Sequence, residues 1–152
     1  MRKPKIYLET TIFNLYFDSD REAHPATLKL FEEIKAGKYE AFTSLYVIDE
    51  LEAASEPKRS NMIELISKYN IMILEANEET RLLADMYVNE GVIPAKYRYD
   101  GLHIAISTVN DLQYIFSMNF QNINKVKTKS MTSIINVREG YRPITIASPM
   151  EV

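Results

Sequence analysis

Hydrophobic and polar positions along this chain change their period again and again, and the changes mark out alternating strands and helices. Residues 5–9, Lys5-Ile-Tyr-Leu-Glu9, read as a first strand, with a short helix near 11–17 behind it. Asp18-Ser-Asp-Arg-Glu22 is a loop. His24-Pro25 then opens a helix, with proline in its first turn. Leu28, Phe31 and Ile34 recur at helical spacing, and Gly37 stops the helix. Residues 39–43 form a second strand and 44–54 a helix. A further helix after Pro57 turns Met62, Ile63, Ile66 and Tyr69 inward. Residues 71–74 give a short third strand. Asn77 with Thr80 starts a helix whose inner face is Leu82, Leu83, Met86 and Tyr87, ending at Gly91. After a loop over 93–97 come a helix near 99–110, a fourth strand at 113–117 and a fifth near the sheet edge at 144–147. No element is assigned over 118–143.

Strands that alternate with helices imply an α/β domain around a mainly parallel sheet. The 152 residues fit a single domain, 1–152, large enough for a real core. No repeat, linker or low-complexity tract divides it. At 46% hydrophobic and 26% charged the composition is that of a soluble globular protein. No apolar stretch approaches a membrane span. The basic start Met1–Lys5 is followed by too short an apolar run for a signal peptide. The absence of cysteine excludes disulfides, zinc–thiolate sites and thiol nucleophiles, and makes the cytoplasm the expected compartment.

Chemistry enters at the breaks between elements. Glu9 ends the first strand, Glu50 sits where Thr43–Leu51 passes from strand to helix, and Asp100 starts the helix Asp100-Gly-Leu-His-Ile-Ala-Ile106. Asn119 follows the fourth strand. In an α/β fold such residues converge, because ligand crevices lie beyond the carboxyl ends of parallel strands. Oxygen-rich pockets of this kind suit hard divalent cations. Clustered carboxylates repel one another, so at least one carboxyl pKa is expected to rise without a cation. The net charge of −3 gives no overall attraction to nucleic acid. However, Lys96 and Arg98 precede Asp100, and Lys125, Lys127 and Lys129 follow Asn119. These cations either rim the pocket and hold phosphates or belong to a solvated surface.

Each residue also has a plainer reading. Glu50 stands beside Asp49 and Glu52 as a surface charge would, Asp100 is placed to cap its helix, and Asn119 suits a turn. Thr10, Thr11 and Ser44 serve either as hydroxyls around the site or as helix caps. His103 shares a helix face with Asp100 and is read as a hydrogen-bonded neighbour rather than a ligand. Tyr97 and Tyr99 could stack on bases, but in a chain with ten tyrosines packing is the simpler role.

Four segments in register carry a family resemblance: Ile6-Tyr-Leu-Glu9-Thr-Thr-Ile12, Val47-Ile-Asp-Glu50-Leu51, Tyr99-Asp100-Gly-Leu-His103-Ile-Ala105 and Ile115-Phe-Ser-Met-Asn119-Phe120. Together they resemble the PIN domain of VapC-type ribonucleases from bacterial toxin–antitoxin modules, over nearly the whole chain. The resemblance implies a three-layer α/β/α PIN-like fold with a central, mainly parallel sheet. It implies an endoribonuclease dependent on Mg²⁺ or Mn²⁺ and acting on single-stranded RNA, with a cognate antitoxin and a homodimeric assembly. Glu9, Glu50 and Asp100 would be the metal ligands and Asn119 a fourth catalytic position. Lys96, Arg98, Lys125 and Lys127 would face RNA. Two positions depart from the family pattern: glutamate replaces the commoner aspartate at 9, and asparagine replaces it at 119.

Other functions fit less well. A catalytically weak PIN domain that binds RNA or a protein draws support from Asn119. A receiver-like or phosphatase domain lacks its nucleophilic aspartate after the first strand. A metal-free ribonuclease would need His24 and His103 as a pair, the chain's only histidines, and His24 has no companion pattern.

Overall fold

The computed structural model describes residues 2–152. Five strands form one sheet: β1 (Lys5–Leu8), β2 (Glu40–Ser44), β3 (Met72–Leu74), β4 (Tyr114–Phe116) and β5 (Thr145–Ala147). Their order is β3-β2-β1-β4-β5, and every neighbouring pair is parallel. Ile6, Tyr7 and Leu8 of the central strand are fully buried, as expected of a strand covered on both faces.

Seven α-helices connect the strands. Helices α1 (Thr10–Tyr16) and α2 (His24–Lys35) link β1 to β2, and α3 (Leu45–Glu52) and α4 (Lys58–Lys68) link β2 to β3. Helices α5 (Glu78–Asn89) and α6 (Arg98–Val109) cross back to β4, and α7 (Val126–Arg138) leads to β5. Right-handed crossovers then put α1–α4 on one face and α5–α7 on the other, because the chain moves outward from β1 to β3 and then returns past β1 to β4 and β5. The contacts agree: α1 packs on α2, α3 and α4, while α5 packs on α6 and α7. The result is the expected three-layer α/β/α fold. The reversal also opens a crevice between the carboxyl ends of β1 and β4.

Local signals in the sequence hold. Gly37 and Gly91 lie just beyond α2 and α5 with φ of +84° and +79°, the left-handed conformation that ends helices at low cost. Asn77 and Thr80 form a reciprocal capping box on α5. The first strand stops one residue early, at Leu8, because Glu9 becomes the N-cap of α1.

Two corrections follow from the structure. Leu82 is not on the inner face of α5; it is exposed, while Leu83, Ala84 and Tyr87 are buried. The stretch 118–143, without an assigned element, contains α7. Its buried positions are Thr128, Thr132, Ile135 and Asn136, whereas Val126, Ile134 and Val137 face outward. The helix is docked by hydrogen bonds: Asn136 Oδ1 accepts from Tyr87 Oη, and Asn136 Nδ2 donates to Thr108 Oγ1 at 3.2 Å. An apolar period therefore has no inward stripe to report.

Candidate active site

The crevice is built from the central strand outward. Glu9 directly follows β1, and its backbone N–H donates to the Phe116 carbonyl at 3.1 Å, continuing the ladder to β4. Leu8 pairs with Phe116, so Glu9 and Ser117 emerge side by side. Glu9 is only 3% exposed. Its Oε1 accepts from Thr11 Oγ1 at 2.6 Å, Ser117 Oγ at 2.7 Å and Thr11 N at 3.3 Å. Its Oε2 accepts no hydrogen bond among the described residues. Thr11 Oγ1 also accepts from Met118 N at 2.8 Å, tying α1 to the loop after β4.

Glu50 arrives from α3, whose start is capped by Ser44, the last residue of β2. Its side chain is 44% accessible, and its Oε1 lies 2.8 Å from His103 Nε2 on α6. His103 is fully buried, and its Nδ1 lies 2.6 Å from Tyr7 Oη. Tyr7 Oη in turn lies 2.7 Å from Ser44 Oγ. Tyr7, Ser44 and His103 are all sealed from solvent.

This chain has one consistent direction when the imidazole is neutral. Ser44 Oγ accepts from Val47 N at 3.4 Å, so its own proton has only the Tyr7 oxygen to meet. Tyr7 must then donate to His103 Nδ1, which leaves the proton on Nε2, aimed at Glu50. The opposite direction strands the Ser44 hydroxyl proton in a dry interior. His103 therefore acts as a donor that holds Glu50.

Electrostatics follow from this packing. Burial raises the Glu9 carboxyl pKa. The charge of His103 and the Thr11 and Ser117 hydrogen bonds work against the rise, and the nearby Glu50 charge adds to it. The expected rise is present, with burial a larger cause than repulsion. For Glu50, burial also acts upward, but the hydrogen bond and charge of His103, with Thr10 nearby, leave it below the ordinary range. Burial pulls the His103 pKa down. The Glu50 hydrogen bond and the charges of Glu9, Glu50 and Asp100 more than reverse this.

One ligand atom from each of Glu9, Glu50 and His103 falls within a mutual 4.8 Å. Thr10 Oγ1 is buried beside Glu50 and helps to lower its carboxyl pKa, although no partner stands in good hydrogen-bond geometry to it. A buried carboxylate with an unbonded oxygen, beside a second carboxylate and a threonine hydroxyl, fits a hard cation. The imidazole does not contribute a free lone pair, because both ring nitrogens are engaged.

The other expected residues lie around this centre. Asp100 is outside the 4.8 Å set but close enough for its charge to act on His103. It caps no backbone N–H; its Oδ2 accepts from Asn122 Nδ2 at 2.8 Å. Asn119 is half-buried, and its Oδ1 accepts from Asn122 N at 3.1 Å, so part of its oxygen serves its own turn. Lys96 and Lys127 are exposed, while Lys125 and Lys129 are half-buried. Arg98 Nε donates to Asp85 Oδ1 at 2.9 Å, so that cation is already paired. His24 Nδ1 donates to the Leu15 carbonyl at 2.8 Å, a structural bond that leaves no histidine pair.

Three residues that shape the site were not singled out from sequence. Tyr7 shares a strand face with Glu9 by simple alternation, so that signal was available. Ser117 becomes visible only through the register of β1 and β4. Asn122 lies in a turn that no periodicity marks.

No protein-family model and no curated protein matches the sequence. Solved structures do match in fold. The chain is similar to VapC20 of Mycobacterium tuberculosis, a Sarcin-Ricin loop cleaving toxin, at a TM-score of 0.59 and 13% identity, over 80% of this chain and 97% of that one. It is also similar to VapBC2 from Rickettsia felis, solved bound to a DNA fragment from their promoter. There the TM-score is 0.57 and the identity 12%, over 93% of this chain and 96% of that one. With the order of its parallel strands and the crevice at their carboxyl ends, the chain has the PIN-like fold of these VapC proteins.

Proposed function

We propose that this protein is a metal-dependent endoribonuclease that hydrolyses phosphodiester bonds of single-stranded RNA. The observation that supports it most is the buried Glu9 carboxylate beside Glu50, with one oxygen unbonded. Burying such a carboxylate is costly unless a cation meets it. Mg²⁺ or Mn²⁺, when bound, supplies an acidified water and positive charge at the phosphoryl oxygens. Glu9, Glu50 and Asp100 hold that cation, and the amide oxygen of Asn119 assists. Thr11 and Ser117 fix the Glu9 carboxylate, His103 fixes Glu50, and Asn122 fixes Asp100. Lys96, Lys125 and Lys127 attract the RNA backbone.

The likeness to VapC20 and VapBC2 supports a role as the toxin of a toxin–antitoxin pair, with a cognate antitoxin as partner; a homodimer as the working form is proposed from the family resemblance of the sequence alone. The lack of cysteine favours the cytoplasm as the compartment; among the described residues no helix is long and apolar enough to cross a membrane.

A second reading, a binding module of low catalytic power, is favoured by one observation: the Asn119 oxygen is already partly used by its turn. Cleavage of an end-labelled single-stranded RNA across a Mn²⁺ series separates the two, with Asp100→Asn as the blank. The nuclease reading expects metal-dependent cleavage by the parent and none by the blank. Binding without cleavage at any metal concentration would establish the binder instead.

A further inference from the structure

Helices α3 and α6 meet along a seam that carries two contacts. The first is the hydrogen bond between Glu50 and His103. The second lies four residues earlier on both helices, where Tyr46 and Tyr99 meet with ring centroids 5.3 Å apart and planes tilted by 54°. Four residues are about one helical turn, so the aromatic pair sits roughly 5–6 Å from the Glu50–His103 bond, towards the N-terminal ends of both helices. Tyr99 also immediately precedes Asp100.

The setting of Tyr99 is unlike that of most tyrosines in the chain. Tyr7 and Tyr87 are fully buried, and Tyr16 and Tyr69 share a hydroxyl hydrogen bond. Tyr99 is 61% exposed, and its hydroxyl has no hydrogen-bond partner among the described residues. Neither core packing nor a polar bond accounts for the ring. Phe120, the neighbour of Asn119, is likewise exposed. Exposed aromatic rings therefore adjoin two of the four candidate site residues, and Tyr46 stands one turn from a third.

We infer that Tyr99, braced by Tyr46, is a stacking platform for an unpaired nucleobase of the bound RNA, next to the phosphate that meets the acids. The inference rests on the nuclease reading for its substrate and deepens it. A flat ring with an open face accepts any base, and only an unstacked base is free to cover it. Tyr46 packs against Tyr99, and most of the Tyr99 side chain remains open to solvent. The platform thus selects single strands over duplexes without reading sequence.

The chain contains no tryptophan, so Tyr99→Trp installs a single fluorescent reporter. A short single-stranded RNA, read in Mg²⁺ before cleavage accumulates, is expected to quench it, and a blunt RNA duplex to leave it unchanged. Affinity for the single strand should fall roughly tenfold in Tyr99→Leu and return in Tyr99→Phe, which restores the ring without the hydroxyl. Thermal melting should be unaltered in all three variants, because the side chain is exposed. Absence of quenching, equal quenching by the duplex, or full affinity in Tyr99→Leu would each overturn the platform. Quenching without any cleavage would keep the platform and remove the nuclease reading. Cleavage by a protein whose Tyr99→Trp is never quenched would do the reverse.

Discussion

Glu9 and Asp100 belong to the same crevice, yet they are held in opposite ways. Glu9 is sealed against the central strand, with hydroxyls from α1 and from the end of β4 fixed on one oxygen. The same inner half contains the dry chain from Ser44 through Tyr7 and His103 to Glu50. Asp100 is half-buried and is held by one amide, Asn122, which is itself tied to Asn119 and, through its carbonyl, to Thr128 of α7. The inner half hangs on the sheet, which fixes its geometry through buried hydrogen bonds. The outer half hangs on a turn and a polar helix, and it can be retuned without disturbing the core. Substitutions should therefore act severely inside and moderately outside.

The largest effect is expected from Glu9→Gln. The amide oxygen can still accept from Thr11 and Ser117, so the fold should survive while the charge is lost. A metal-assisted reaction deprived of a central anion loses several kcal/mol of transition-state stabilisation, or roughly two orders of magnitude in rate or more. Cleavage assays beside thermal melts check both halves of this statement. A variant that melts early as well as failing to cut would mean that the charge also supports the fold.

Tyr7→Phe comes next. It leaves His103 Nδ1 and the Ser44 hydroxyl buried without their partner, at a cost of about 1–3 kcal/mol in stability. It also frees the imidazole to change tautomer and loosen Glu50, which should weaken Mn²⁺ binding by roughly 10- to 100-fold. Nitrogen NMR of the two histidines reads this directly. In the Mn²⁺-free protein at alkaline pH, or with Mg²⁺ bound, His103 should carry its proton on Nε2 in the parent and not exclusively in the variant. A parent with the proton on Nδ1 would reverse the assigned direction of the chain.

The pH dependence has a definite sign. The Glu9 carboxyl pKa is raised, so its contribution to the stability of the metal-free protein is full below the ordinary carboxylate range and is lost as pH rises through the raised value. Glu50 acts oppositely: its contribution is present above the ordinary range and lost as pH falls through its lowered value. A cation requires the ionised Glu9. The rise in Tm caused by Mn²⁺ should therefore grow as pH increases from the ordinary carboxylate range towards neutrality. A Mn²⁺ shift that stays constant over that range would separate Glu9 from the cation.

The smallest effect belongs to the outer half. Asn119→Asp keeps an oxygen for Asn122 N and adds a charged one, so activity should rise several-fold or saturate at lower Mn²⁺. In a mere binder the added anion would repel RNA instead. RNA affinity and cleavage rate measured on the same preparation distinguish the two.

The contrast between the two halves also explains what was legible in the sequence. Glu9 and Asp100 stand at or beside breaks in periodicity, and breaks are what a period reveals; Glu50 lies further in, within α3. The alternation of elements and the capping signals at Ser44 and Asn77 are local, and they carried over into the structure. The polar docking of α7 was hidden, because Thr128, Thr132 and Asn136 face inward while Ile134 and Val137 face solvent. With α7 hidden, the support of Asp100 and Asn119 through Asn122 was hidden as well. The bonds from Ser117 to Glu9 and from Tyr7 to His103 span 108 and 96 residues; strand register brings the first pair together and the packing of α6 against the sheet the second.

The claim at the centre of this account is that the carboxylates gathered around buried Glu9 form a divalent-cation site. Calorimetric titration of the 152-residue chain with Mn²⁺ at neutral pH, in parent and Glu9→Gln, measures it without relying on any substrate. Saturable binding by the parent that is abolished in a folded Glu9→Gln is the expected result. Equal binding by the two proteins, or none by the parent, would contradict the account.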